Sequence, residues 1–145
     1  MKKITVVVFI IVAGIYQYSQ NNLSVNSSNL KQPKQRGQTI TQAFQAQASG
    51  IQVSGAGVVK HILSDDNKGS RHQRFILALP SGRTVLVAHN IDLAPKITEI
   101  KKGDTVHYFG QYEWNAKGGV LHWTHHDPSG RHVGGWLKHN GRTYQ

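Results

Sequence analysis

Apolar and polar residues divide the chain into three stretches of different character. After Lys2 and Lys3, an apolar run extends from Ile4 to Ile15, and residues 17–37 are rich in Asn, Ser and Gln with hardly any apolar side chain. The run is shorter than the roughly 20 residues that a membrane-spanning helix prefers, which favours a signal peptide in residues 1–16. The polar composition predicts a disordered linker over residues 17–37.

The predicted signal lacks a clear small-x-small cleavage site between Tyr16 and Gln20, so an uncleaved N-terminal membrane anchor is the alternative. Either interpretation predicts an exported domain, periplasmic or secreted. The chain contains no cysteine. Disulfides and thiolate metal ligands are therefore excluded, and His, Asp and Glu are the only strong side-chain ligands for a metal.

Residues 38–145 have the pattern of a small β domain. Ile40, Ala43 and Phe44 recur near helical spacing before Gly50, which predicts a short amphipathic helix over residues 38–49. Five strands are predicted over residues 51–63, 71–79, 84–89, 105–114 and 120–126, with a longer irregular connection over 90–100. This order predicts an OB-like five-stranded β-barrel, followed by a His-rich C-terminal extension. Another small barrel or a sandwich fragment is the alternative fold.

Two details of the strands are also predicted. Gly55 and Gly57 indicate a bulge or bend in the middle of the first strand. In the fifth strand, strict alternation would place Leu121, Trp123 and His125 on the face opposite to that of His122, Thr124 and His126.

The charge of the chain is strongly positive but unevenly distributed. The chain has 17 Lys and Arg and 7 Asp and Glu, a net charge of +10, whereas residues 38–145 carry 12 basic and all 7 acidic residues, a net charge of +5. A positive field favours anionic partners, among them nucleic acid, phospholipid and acidic polysaccharide, and it is equally compatible with simple solubility. The 108 residues form one domain with one core.

Histidine is concentrated near the C-terminus, which holds five of the nine histidines: His122, His125, His126, His132 and His139. The Asp127-Pro128-Ser129-Gly130 segment fits a type I turn, which would bring Arg131 and His132 beside His125 and His126. Asp127 is predicted to cap this turn through the backbone rather than to act as a ligand or base. Because imidazole titrates near neutrality and binds metals and phosphate, this segment is the first candidate for chemistry.

The segments SRHQRFIL, VAHNIDLAP, YEWNAKGGV, HWTHHDPSGRH, GGW and HNGRTY, between Ser70 and Tyr144, resemble a bacterial family of short exported proteins known as domain of unknown function 3465. The resemblance covers about half the chain, and it implies export and a single small domain. It implies no activity and no catalytic residue.

The first functional hypothesis is a binding module for a polyanion, nucleic acid first among them. OB barrels bind oligomers across the second and third strands and the adjoining loops. The candidate ligand-binding residues there are basic or imidazole groups for phosphate, with two aromatic rings for stacking: Lys68, Arg71, His72, Arg74, His89, Lys117, Tyr112 and Trp114. The alternative for each residue is a structural role, with the basic groups solvated and the rings filling the barrel.

The second hypothesis is a metal-dependent or histidine-based phosphodiesterase. His125, His126 and His132 would hold a divalent metal such as zinc or transfer protons, while Arg131 and Arg71 neutralise the phosphate. The spacing matches no standard zinc motif. In a third hypothesis, the same three histidines bind a metal without catalysing a reaction. Polyanion binding ranks first because it requires the fewest residues in fixed positions.

Overall fold

Seven β-strands and one short α-helix make up residues 38–145, the part of the chain that the computed structural model describes. The predicted signal peptide and linker lie outside these residues. The elements are α1 (Ile40–Gln45), β1 (Ile51–Ile62), β2 (His72–Ala78), β3 (Thr84–Asn90), β4 (Thr105–Glu113), β5 (Val120–His122), β6 (Trp136–His139) and β7 (Arg142–Tyr144). No helix within residues 38–145 has the length and apolar character needed to cross a membrane.

The first five strands close into a barrel. Hydrogen-bonded neighbours follow the order β1-β2-β3-β5-β4, and β4 pairs again with β1. The β3–β5 pairing is parallel and the others are antiparallel. The predicted OB-like fold is confirmed. Strands β6 and β7 continue the sheet from the first half of β4, so the C-terminal extension is part of the sheet rather than a separate tail.

Strand β1 takes part in two ladders, which is how the barrel closes. It pairs with β4 from Ile51 to Val58 and with β2 from Val58 to Ile62. Its register shift falls between Val59 and His61, so the bulge predicted at Gly55 and Gly57 is wrong in position. The two glycines serve close packing instead: a Cβ on Gly55 would lie 2.6 Å from the Tyr108 hydroxyl.

The barrel interior is filled by alternate residues of each strand. Val59, Phe75, Leu77, Val85, Val87, Val106, Tyr108, Tyr112 and Leu121 are all buried there. Helix α1 packs Ile40 and Ala43 against this core. The helix begins at a capping box, in which the Thr39 hydroxyl accepts a hydrogen bond from the Gln42 amide and the Gln42 side chain accepts one from the Thr39 amide.

The connection between β3 and β4 is irregular, as predicted, and a buried side chain fixes it to the barrel. Gln73 is only 2% exposed. Its amide nitrogen donates to the Ile97 carbonyl at 2.8 Å, and its amide oxygen accepts from the Ile97 N–H at 2.9 Å. These bonds satisfy the backbone N–H and C=O of the buried Ile97, which belongs to no strand.

Strand β5 is shorter than predicted, which changes the surroundings of the histidines. It ends at His122, because Trp123 adopts a left-handed backbone with φ of 52°. The alternation predicted for residues 120–126 is therefore wrong beyond His122. Thr124 and His125 are both buried although they are consecutive, whereas His126 is exposed.

Candidate functional site

A cleft of about 140 Å³ opens on the outer face of the barrel, where β2 begins and where β3 and β5 end. It is lined by His72, Ala88, Asn90, Leu93, His122, Trp123 and His125. The alternation that buries Gln73 and Phe75 turns the neighbouring His72 and Arg74 outward. The cleft therefore lies on the face that OB barrels use for ligands.

A row of outward residues crosses this face from strand to strand. Arg74 of β2 pairs with Ala88 of β3, and His122 of β5 pairs with Gln111 of β4. The parallel β3–β5 register pairs Val87 with Leu121, which places His122 beside Ala88. Neighbouring strands are about 4.8 Å apart, so the backbones at Arg74 and His122, two strands apart, are separated by about 10 Å, with Ala88 between them. The small Ala88 side chain leaves the floor of the cleft open between them.

His122 is held beside a carboxylate of the neighbouring strand. Its Nε2 lies 3.5 Å from Oε1 of Glu113, and the same oxygen accepts a hydrogen bond of 2.8 Å from the Gln111 side chain. Partial burial lowers the pKa of His122, although the Glu113 carboxylate opposes this change. The pKa of Glu113 is also lowered, mainly by the hydrogen bond from Gln111. The pair thus combines a neutral imidazole with a charged carboxylate at neutral pH.

His72 forms the opposite side of the cleft. Its Nδ1 lies 2.8 Å from the Ser70 carbonyl oxygen, which can only accept a hydrogen bond. Nδ1 must therefore carry the proton, and in the neutral ring Nε2 is left with a free lone pair. His72 pairs with Asn90 of β3, whose side-chain oxygen accepts a hydrogen bond from the Asp92 amide.

Trp123 forms the wall of the cleft together with two histidines. The His132 ring stacks on it with centroids 3.8 Å apart and an interplanar angle of 18°, and the His125 ring lies 5.4 Å away. Gly135 allows its own segment to pack closely against the Trp123 backbone, since a Cβ on Gly135 would lie 2.1 Å from the Trp123 carbonyl oxygen. His132 is exposed, so the stacked pair presents an imidazole face to solvent.

The turn that carries His132 is fixed by Asp127. Its carboxylate accepts hydrogen bonds from the amides of Ser129, Arg131 and His132, at 2.7 to 2.9 Å, and from the Ser129 hydroxyl. These bonds hold the pKa of Asp127 far below its usual range. The predicted turn-capping role of Asp127 is what the structure shows, and Gly130 closes the turn with a bond to the Asp127 carbonyl.

Replacing Asp127 with alanine is expected to loosen the turn and leave the barrel intact. The amides of Ser129, Arg131 and His132 lose their acceptor, so their hydrogen exchange, measured by NMR, should become faster while that of strand amides is unchanged. Ser129→Ala is the matched control, because it removes only the hydroxyl bonds. Unchanged exchange at Arg131 and His132 in the Asp127 variant would contradict this role.

His89 supports the wall from inside the barrel. It is fully buried, its Nδ1 lies 2.8 Å from the Thr124 hydroxyl, and its Nε2 lies 3.2 Å from the Pro95 carbonyl oxygen. Burial lowers the pKa of His89 to about 4, against a smaller opposing effect of the Pro95 carbonyl. His89 therefore links β3, the connection and the wall, and it is not the surface phosphate ligand that was predicted.

The predicted basic residues differ in whether their side chains are already engaged by ion pairs or hydrogen bonds within the domain. Lys68 and Lys117 are exposed in the β1–β2 and β4–β5 loops. Arg71 forms an ion pair of 2.7 Å with Asp92, which engages its Nε. Arg74 donates from Nε to the Ser64 carbonyl at 3.0 Å, which leaves its terminal nitrogens for another acceptor.

The two predicted stacking residues lie elsewhere. Tyr112 is fully buried in the barrel, where its hydroxyl donates to the Gly118 carbonyl at 3.1 Å, so no ligand can reach its ring. Trp114 is half-buried against Phe44, with ring centroids 6.2 Å apart. The aromatic ring at the cleft is that of Trp123 instead.

The residues predicted to be catalytic or metal-binding are brought together only in part. His125 and His132 both contact Trp123, whereas His126 is exposed and does not line the cleft. Arg131 donates from Nε to the Ser129 hydroxyl at 3.1 Å. Within residues 38–145, no three His, Asp or Glu side chains are placed to hold one metal ion. Metal binding by His125, His126 and His132 stays a prediction.

The sequence did not predict the cleft residues Ala88, Asn90 and Trp123, the placement of His122, or its neighbour Glu113. Glu113 has a signal in the sequence, since it is the only acidic residue of β4. Its proximity to His122 depends on the β4–β5 register, which the sequence alone does not give.

Residues 23–145 match the family model described as "Protein of unknown function (DUF3465)". A search of curated proteins finds no match.

Proposed function

The chain belongs to the DUF3465 family, whose function is unknown, and we propose that its barrel binds single-stranded nucleic acid across the outer face of β2, β3 and β5. One observation carries the proposal: the cleft over Ala88 is lined by His72 on one side and by His122 and Trp123 on the other, and Arg74 is the strand partner of Ala88. Cationic groups and aromatic rings arranged along one face are the features that single-strand binding requires.

The backbone of the ligand would cross the cleft. A phosphate over Ala88 would meet the free nitrogens of Arg74 and the imidazole of His72, and Lys68 would neutralise a neighbouring phosphate. A base would stack on the exposed imidazole of His132, which Trp123 supports from behind. Single strands fit better than a duplex, because stacking on a ring needs an unpaired base.

Filling the cleft is the most direct test. Ala88→Leu should weaken binding of a fluorescently labelled, single-stranded oligonucleotide at least tenfold, because the added side chain occupies the floor between Arg74 and His122. Fluorescence anisotropy measures the affinity. Ala78→Leu is the matched control, since Ala78 also faces outward on β2 but lies outside the cleft. Equal affinities of the Ala88 variant and the unsubstituted chain would exclude this binding site.

Salt dependence provides a second, independent test. If Arg74 and Lys68 contact phosphates, affinity should fall with salt, and replacing either residue with glutamine should flatten the log–log slope by about 0.7. Lys138→Gln, on the exposed face of β6, should leave the slope unchanged. Affinity that does not respond to salt would rule out phosphate contacts.

A further inference from the structure

Three imidazoles line the cleft, and two of them, His122 and His72, have different polar neighbours. Within residues 38–145, Nε2 of His122 is buried without a hydrogen-bond partner and lies 3.5 Å from the Glu113 carboxylate, and Nδ1 of His72 lies 2.8 Å from the Ser70 carbonyl oxygen. In the neutral rings, these neighbours favour protons on Nε2 of His122 and on Nδ1 of His72. The remaining nitrogens, Nδ1 of His122 and Nε2 of His72, are the ones free to exchange protons with a ligand.

We infer that this cleft cleaves single-stranded RNA without a metal ion, with His122 as general base and His72 as general acid. The inference rests on the proposed function, because the substrate must first lie across the same face. It differs from the predicted chemistry in its residues: His125, His126, His132 and Arg131 take no part in the proton transfers.

The reaction is an internal transphosphorylation that needs no additional reactant. Nδ1 of His122 removes the proton of a ribose 2′-hydroxyl, and the 2′-oxygen attacks the adjacent phosphorus. The bond from phosphorus to the 5′-oxygen breaks, and this oxygen takes a proton from Nε2 of protonated His72. The products are a 2′,3′-cyclic phosphate and a free 5′-hydroxyl, while one proton has moved from the enzyme's acid and one to its base.

Two further residues assist these transfers. Arg74, across Ala88 from His122, would neutralise the nonbridging oxygens, on which charge accumulates as the 2′-oxygen attacks. Glu113 is a positioning residue: it orients the His122 ring and stabilises the imidazolium formed after proton removal. Gln111 fixes the carboxylate by donating to the same oxygen that faces His122.

The groups around His122 are compatible with its role as a general base at neutral pH. Glu113 and Gln111 of β4, His72 of β2, and Trp123 and His132 of the wall surround it. Burial and the neighbouring imidazoles lower its pKa, and Glu113 raises it again. The ring is therefore largely unprotonated at pH 7, and the carboxylate keeps it basic enough to accept a proton.

The experiment uses a short single-stranded RNA and a DNA of the same base sequence, with EDTA present. The RNA should be cut to fragments that end in a 2′,3′-cyclic phosphate and begin with a 5′-hydroxyl. Mass spectrometry of the fragments identifies both ends. The DNA has no 2′-hydroxyl, so it should bind and stay intact. It therefore reports binding independently of cleavage.

His122→Gln and His72→Gln should each lower the cleavage rate about 100-fold or more, because each removes one proton-transfer group. Thermal melting by circular dichroism establishes that these half-buried positions tolerate the change. His107→Gln is the matched control, since this exposed histidine of β4 lies outside the cleft, and it should cleave like the unsubstituted chain.

The dependence of rate on pH distinguishes positioning by Glu113 from a structural role. Removing the carboxylate in Glu113→Gln lowers the pKa of His122 further, so the acidic limb of the rate profile should move to lower pH while the maximal rate falls. Glu113→Asp should restore the limb toward its original position. A fall in rate with an unmoved limb would contradict positioning of His122 by Glu113.

The outcomes separate the two proposals. Binding of both oligomers with intact RNA, or cleavage that is equal in the His122, His72 and unsubstituted proteins, would overturn RNA cleavage by this cleft and leave the binding function standing. Failure to bind the DNA and the RNA would overturn both.

Discussion

Replacing Gly119 with alanine is expected to lower the free energy of unfolding by about 4 kcal/mol, because two costs fall on one residue. Gly119 has φ of +85°, where a side chain costs about 1 to 3 kcal/mol. Its Cβ would also lie 2.2 Å from the ring of Tyr112. That ring is fully buried and tied through its hydroxyl to Gly118, so it has no room to turn away.

Gly130→Ala separates the two costs. Gly130 has φ of +65°, and no atom lies within 4 Å of an added Cβ, so this variant carries the backbone cost alone, about 1 to 2 kcal/mol. Urea unfolding followed by circular dichroism gives both values. Equal losses in the two variants would mean that the barrel adapts around Tyr112, contrary to the close packing seen in the structure.

Acid is expected to destabilise the domain through His89, by about 3 kcal/mol over the full titration. The pKa of His89 is about 4 in the folded chain and ordinarily 6.5. Between these two values, His89 is protonated in the unfolded chain and neutral in the folded chain. Stability is therefore complete above about pH 6.5 and declines as the pH falls toward 4. At pH 5 the loss should be about 2 kcal/mol.

His89→Gln should remove most of this dependence, while lowering stability at pH 7.5 through changed bonds to Thr124 and Pro95. The measurement is the free energy of unfolding in urea at pH 7.5 and pH 5, for each variant. His107→Gln, an exposed histidine, should keep the dependence of the unsubstituted chain. If the His89 variant loses as much stability at pH 5 as the unsubstituted chain, another group is responsible.

The barrel could be predicted because its strands are regular. In β2, β3 and β4, every second residue is buried without interruption, and turn residues separate the strands. The same regularity could have corrected one functional assignment. Tyr112 is an even number of residues from Val106 and Tyr108, which places it inside the barrel with them and away from any ligand.

The end of β5 could not be predicted, because its cause lies in other parts of the chain. Gly110 and Gly135 lie against the segment from His122 to Thr124, and a Cβ on either would come within 3 Å of its backbone. Glycine in a sequence shows that the chain can bend or be approached closely, but it does not show which segment approaches it. Trp123, with its left-handed backbone, lies at that contact.

Sequence reasoning could predict only those site residues whose positions depend on a single strand. Alternation alone places His72 and Arg74 on the outer face. The His122–Glu113 pair, in contrast, lies diagonally across two strands, since Gln111 is opposite His122 and Glu113 is opposite Val120. Such a pair depends on the register of a three-residue strand, which local residue preferences do not determine.

Residues 123–135, which build the wall of the cleft, belong to no strand and pair with none in the barrel ladders. Selection can therefore change this wall without changing the strand register, whereas His72, Ala88 and His122 of the cleft lie on the strands themselves. Exchanging this segment between homologous chains should transfer the part of the ligand preference that the wall determines, provided that Thr124 is kept as the partner of the buried His89. The wall could then differ among homologues in length and side chains, over a barrel whose strand register stays the same.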